Sequence, residues 1–207
     1  MLINYIIAAE VVDVKQDSPN SNDTFLVDSN VWYWLTYTKA SLVEAYGAKR
    51  RSVDYSSFLN KAITERAQLC RCALSLAELA HIIERSERKI FAKTHSEIET
   101  KQFRHNYPHE RSIVVSEVKA AWGQVKSMAS PLNLLLNDGV TDAALNRFTK
   151  DALDGYDLFF LEAMTENKVP QLITDDGGFA TVSGIRVFTA NQNVIAAAQS
   201  QGKLLTR

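Results

Sequence analysis

The residues of this 207-residue chain best placed to do chemistry are acids that follow short apolar runs. Asp28 follows Phe25-Leu26-Val27. Glu78 follows the run Leu69 to Leu74 and stands three positions after Ser75. Asp157 opens the apolar stretch Leu158-Phe159-Phe160-Leu161, and Asp175-Asp176 follow Leu172-Ile173-Thr174. Carboxylates held within a few ångströms oppose each other's ionisation, so such a group binds a cation, shares a proton, or both. Oxygen-only ligands favour Mg²⁺ or Mn²⁺ over zinc. Two such ions about 4 Å apart can activate water and hold the leaving oxygen of a phosphodiester. Each acid also has a plainer reading. Asp28 can be a solvent-facing turn acid, Glu78 the capping-box partner of Ser75, Asp157 a helix cap, and Asp176-Gly177-Gly178 a turn.

The elements that must position these acids follow from the apolar pattern. Runs at 25–27, 69–74, 134–136, 172–174 and 185–189 have the length and composition of strands. Residues 2–14 are apolar and end in alternation, as a strand or a helical turn. Residues 15–24, with Pro19 among asparagines and aspartates, form a loop. Helical spacing marks 54–67, a stretch from Ser75 to about Ile90, a long amphipathic segment after Pro108, a helix from Thr141 to about Leu153, and 192–200. Helical connections of about a dozen residues or more between strands require a parallel sheet. The expected fold is therefore α/β, with three layers and a mostly parallel central sheet flanked by helices, plus extra helices. In such a sheet the ligand crevice lies outside the carboxyl ends of the strands. All four acidic places fall there.

Composition narrows the field. Lys plus Arg total 23 against 24 Asp plus Glu, and 46% of residues are hydrophobic. These values exclude collagen, a linker protein, a highly charged disordered chain and a globally basic coat protein. Cys70 and Cys72 are too close in sequence for a favourable disulfide and read as reduced, cytosolic thiols. The first ten residues lack a basic start and fall short of the roughly 20 apolar residues of a membrane span. A cytoplasmic protein without membrane contact is expected. Lys49, Arg50, Arg51, Arg85 and Lys89 are candidates for phosphate contact, although a solvated helical face explains such residues equally well.

Four segments resemble the motifs of PIN-domain nucleases, toxin-like ribonucleases among them. Phe25-Leu26-Val27-Asp28-Ser29-Asn30-Val31-Trp32 looks like the opening strand and acid. Leu74-Ser75-Leu76-Ala77-Glu78-Leu79 looks like the second motif, and Asp157-Leu158-Phe159-Phe160-Leu161-Glu162-Ala163 is similar to the third. Leu172-Ile173-Thr174-Asp175-Asp176-Gly177-Gly178-Phe179 looks like the fourth, and the strand Ile185 to Thr189 fits the close of the fold. The resemblance implies that Asp28, Glu78, Asp157 and Asp176 are catalytic and bind Mg²⁺ or Mn²⁺, with Asp175 a further candidate ligand. It gives Ser29 or Thr174 the task of orienting a carboxylate or water through a hydroxyl. Asn30 becomes a helix-start residue or a support for a ligand.

The implied function is metal-dependent hydrolysis of single-stranded or loop RNA, with an antitoxin protein as a candidate partner. The alternatives are a DNA or structure-specific nuclease, and a non-catalytic scaffold that binds RNA or protein. The expected organisation is an N-terminal extension at 1–24, a nuclease domain at 25–200 with a helical insertion at about 91–128, and a flexible tail at 201–207. The spacings of 49 residues between Asp28 and Glu78 and of 78 between Glu78 and Asp157 exceed those of compact members. Aromatics near Trp32 and Tyr37, if exposed, suit a homodimer.

Overall fold

The computed structural model describes residues 3–43 and 46–207, with the side chains of 46–51 left out. The side chains of Lys49, Arg50 and Arg51 therefore lie outside the described residues. One six-stranded sheet runs through the chain, and every neighbouring pair in it is parallel. Its strands are β1 (Glu10–Asp13), β2 (Thr24–Val27), β3 (Gln68–Arg71), β4 (Ser130–Pro131), β5 (Gln171–Ile173) and β6 (Arg186–Thr189). Their spatial order is β1-β6-β5-β2-β3-β4. From β2 the chain passes through helices α1 (Ser29–Thr36) and α2 (Tyr46–Thr64) to β3 on one side. From β5 it passes through a 3-10 turn, Gly177–Thr181, to β6 on the other. The boundary between β2 and β5 is thus a topological switch point, where an open parallel sheet leaves a crevice at its carboxyl edge.

Strand alternation divides the apolar residues between two layers. Phe25, Val27, Leu69, Ile173 and Phe188 face one core, which α1, α2, α3 (Ser75–Ala92) and α5 (Pro108–Met128) complete. Leu26, Cys70, Leu172 and Val187 face the other, closed by α6 (Asp138–Phe148) and α7 (Gly155–Glu166). Phe25, in the middle of the sheet, meets Phe188 edge-on at 4.8 Å and Phe58 at 5.8 Å. Burying a side chain of this size contributes about 1.5–3 kcal/mol. The expected three-layer α/β architecture is what the chain forms.

Several local expectations need correction. The third strand is the pair Ser130–Pro131 beside Cys70–Arg71, while Leu134 to Leu136 form a loop. The helix expected from Thr141 starts instead at Asp138, where Asn137 caps it through Val140 N–H at 3.0 Å. The segment expected as a helical insertion, 91–128, packs onto the body: α4 (Thr100–Asn106) leads into α5, whose Val114, Ala121 and Val125 are buried, the latter two within the first core. The residues after 200 were expected to be flexible, yet Leu204 bridges Val11 of β1. Arg207 pairs with Asp17 at 2.8 Å and with Asp23 at 2.7 Å. The N-terminal extension likewise supplies β1, an integral strand. Trp32 and Tyr37, expected to offer an exposed aromatic surface, are buried. Among the described residues no helix is long and apolar enough to cross a membrane.

Candidate functional site

Each predicted acid enters the switch-point crevice on a different element. Asp28 ends β2 and is the N-cap of α1, with extended backbone at φ −69° and ψ 153°. Its backbone N–H still donates to Ile173 of β5 at 3.0 Å, which locks it to the neighbouring strand end. Its Oδ1 accepts the Ser29 N–H at 2.6 Å, and its Oδ2 accepts the Thr174 hydroxyl at 2.6 Å. The sequence fixes this arrangement locally, because aspartate is among the best residues at a helix start and has an extended backbone there.

Glu78 stands in the first turn of α3, but not as a capping-box acid. Ser75 opens the helix without a side-chain cap, and its buried hydroxyl finds no protein partner. Glu78 instead accepts the Ser29 hydroxyl at 2.6 Å. Ser29 thus holds Asp28 with its N–H and Glu78 with its side chain. Asp157 lies in the first turn of α7, where it is buried. The N-cap of that helix is Asp154, which accepts the N–H groups of Tyr156 at 3.0 Å and Asp157 at 3.3 Å.

Carboxylate oxygens of Glu78, Asp154 and Asp157 all lie within 4.8 Å of one another. Asp154 is not among the acids singled out from the sequence. Its signal was the Asp-x-x-Asp spacing at a helix start, which puts N-cap and third-residue carboxylates on the same turn. The ambiguity at 175–176 also acquires a geometry. Tyr55 donates to Asp175 Oδ1 at 3.0 Å, and the Asp175 carbonyl accepts the Asn191 side chain at 2.9 Å. Asp176 takes the Thr174 hydroxyl oxygen as acceptor for its N–H at 2.9 Å, and its Oδ1 accepts the Gly178 N–H at 2.7 Å. It is Asp176 whose charge acts on Asp28, Glu78 and Asp157.

Burial and mutual repulsion hold the acids of the cluster toward their protonated forms. Burial raises the Asp28 carboxyl to about 6, opposed by the Thr174 hydrogen bond and assisted by the Asp176 charge; Ser29 and Asn30 favour its ionised form. Burial raises Glu78 to about 7, opposed by Ser29 and assisted by Asp28, Asp154 and Asp176. Asp157 rises to about 9, through burial first and then through the charges of Asp28, Asp154, Asp176 and Glu78. Among the described residues no lysine or arginine forms an ion pair with any of these acids. Oxygen donors at this spacing, short of positive charge, fit a hard divalent cation. Asp28 and Asp157 form the buried floor, while Asp154 and Asp176 are exposed, so the hollow opens to solvent.

Two grooves flank the opening. One, of about 480 Å³, is apolar and lined by Leu74, Leu136, Tyr156 and Phe159 beside Asp154. The other, of about 470 Å³, lies between α3 and α5 and includes His81, Arg104, Arg111 and again Tyr156. Arg104 is already committed to Glu84, with Nε 2.6 Å from Oε1. Arg85 and Lys89 are exposed on α3. No family model matches the chain, and neither does any curated protein.

Proposed function

We propose that this chain is a metal-dependent ribonuclease that hydrolyses phosphodiester bonds of single-stranded or loop RNA. The observation that carries the reading is the meeting of Asp28, Glu78, Asp154, Asp157 and Asp176 in one solvent-open hollow, where no lysine or arginine among the described residues pairs with them. The likeness of the same segments to PIN-domain nucleases supports the choice of RNA as substrate. Asp28, Glu78, Asp154, Asp157 and Asp176 would hold Mg²⁺ or Mn²⁺, with Asp175, which Tyr55 engages, outside that set. A bound divalent ion would supply a more acidic water and positive charge against the phosphate oxygens. Ser29, Asn30 and Thr174 fix the carboxylates, and the buried floor keeps bulk water from dispersing their charge. An antitoxin-like partner follows from the resemblance alone and would be found by its co-purification with the chain.

The test is cleavage of an unstructured RNA, with single-stranded DNA run in parallel. Turnover should require Mg²⁺ or Mn²⁺, favour RNA, and vanish in Asp28→Asn while the thermal transition survives. Cleavage that persists in EDTA would overturn the mechanism. Preference for DNA would turn the assignment to a DNA nuclease, and metal-dependent binding without turnover would favour a scaffold.

A further inference from the structure

The N-terminal segment places an aromatic residue at the rim of the acidic hollow. Its path is fixed on both sides of the chain. Ala8 and Ala9 donate to Ala180 at 3.0 and 3.1 Å. Ile7 N–H donates to Gln201 Oε1 at 2.9 Å, and Gln201 Nε2 donates back to the Tyr5 carbonyl at 2.9 Å. Tyr5 is thereby laid over Gly177, the residue after Asp176. A methyl group on Gly177 would stand 2.3 Å from Tyr5 Cζ and 2.5 Å from its Oη, so this seat exists only because the position is glycine. Gly177 has no positive φ. Room for the ring, rather than backbone freedom, is what the glycine supplies.

The phenol is half-buried, and the nearby charges of Asp176 and Asp175 act on it. Burial first, and then these two carboxylates, keep its proton on. Among the described residues none forms a hydrogen bond with Oη. A polyanion that crosses a hollow floored with carboxylates meets repulsion everywhere except at a bound cation and at neutral donors. Tyr5 offers such a donor beside the exposed Asp176.

We propose that Tyr5 is a substrate-positioning residue, its hydroxyl donating to a phosphate oxygen of the RNA strand next to the phosphate held at the acidic hollow. The inference rests on the ribonuclease reading and adds a residue that none of the acidic motifs contains. Gly177 serves the same contact by leaving the ring its seat. A neutral donor neutralises no phosphate, so it strengthens binding without changing its salt dependence.

The experiment uses the full chain and a short fluorescein-labelled single-stranded RNA. Tyr5→Phe should raise KM about tenfold, the usual effect of losing one hydrogen bond to a charged group, with kcat and the thermal midpoint unchanged. In the Asp28→Asn background with Mn²⁺, Tyr5→Phe should weaken RNA binding by a similar factor at an unchanged salt slope. Gly177→Ala should reproduce the KM effect by displacing the ring. Cleavage by Tyr5→Phe with the parent's KM would overturn the inference while leaving the ribonuclease reading intact. Absence of both cleavage and metal-dependent RNA binding in the parent would overturn both.

Discussion

The Thr174 hydroxyl donates to Asp28 Oδ2 at 2.6 Å and so ties the end of β5 to the end of β2 across the switch point. The same oxygen accepts the Asp176 N–H at 2.9 Å. One fully buried side chain therefore positions both Asp28, 146 residues away in sequence, and Asp176. Thr174→Val keeps the shape and removes both contacts. Its expected cost is about 1–3 kcal/mol in urea unfolding, because Asp28 and the Asp176 amide lose a partner. It should also push the Asp28 carboxyl further up, since Thr174, ahead of Ser29 and Asn30, opposes the effect of burial there. The acidic limb of the pH–rate profile would then move to higher pH, with Thr174→Ser restoring it.

Stability without metal should fall as pH rises. Asp28, Glu78 and Asp157 ionise at about 6, 7 and 9 in the folded chain, against ordinary values of 3.8, 4.5 and 3.8. The folded state then binds more protons than the unfolded state across that interval, so these groups favour folding below about pH 4 and progressively less up to about pH 9. A divalent cation that binds the ionised acids reverses the trend. Differential scanning fluorimetry should show Mn²⁺ raising the melting temperature more at pH 8 than at pH 6. An equal rise at both would contradict the coupling.

Much of this was legible in the sequence, for identifiable reasons. Asp28 and Asp176 follow closely on strands buried on both faces, and a continuous apolar run reports such a strand directly. Glu78 also allowed a plainer reading, because Ser75-x-x-Glu78 has the form of a capping box. The true partner, Ser29, is 49 positions away and becomes a neighbour only when α1 packs on α3. Asp154 was missed because a cap and a ligand have the same signature in sequence. The last residues carry little apolar pattern, and their order comes from contacts distant in sequence: Leu204 beside Val11 of β1, and Arg207 on two buried acids.

Asp154 can be tested apart from its capping role. Asn is as good an N-cap as Asp, so Asp154→Asn should leave α7 and the melting temperature of the metal-free chain nearly unchanged. Removing the charge should weaken Mn²⁺ binding about tenfold or more in isothermal titration, in the range seen when support for a metal site is lost. Asp157→Asn, by contrast, replaces a buried carboxyl that burial and its acidic neighbours hold protonated in the folded chain. It should stabilise the metal-free chain at pH 8 by on the order of 2 kcal/mol while abolishing cation binding.

The carboxyl-terminal clamp makes a separate prediction. Arg207 lies over the Phe188 ring at 4.7 Å and pairs with the buried Asp17 and Asp23. Burial alone would raise Asp23, but Arg207, the Asn20 N–H and Gln171 hold it below its ordinary 3.8. Its stabilisation is therefore complete above about pH 4 and lost as pH falls through the lowered value. Arg207→Gln should cost about 3–5 kcal/mol at pH 7, since two buried acids lose their cation, and less in acid. Activity per folded molecule should not change.

The central claim is that these acids hold a divalent cation, and anomalous diffraction from crystals soaked in Mn²⁺ tests it most directly. The expected result is a manganese peak bounded by carboxylate oxygens of Glu78, Asp154 and Asp157, at distances near 2.1–2.2 Å. Manganese bound elsewhere, with no peak among those three side chains, would contradict it.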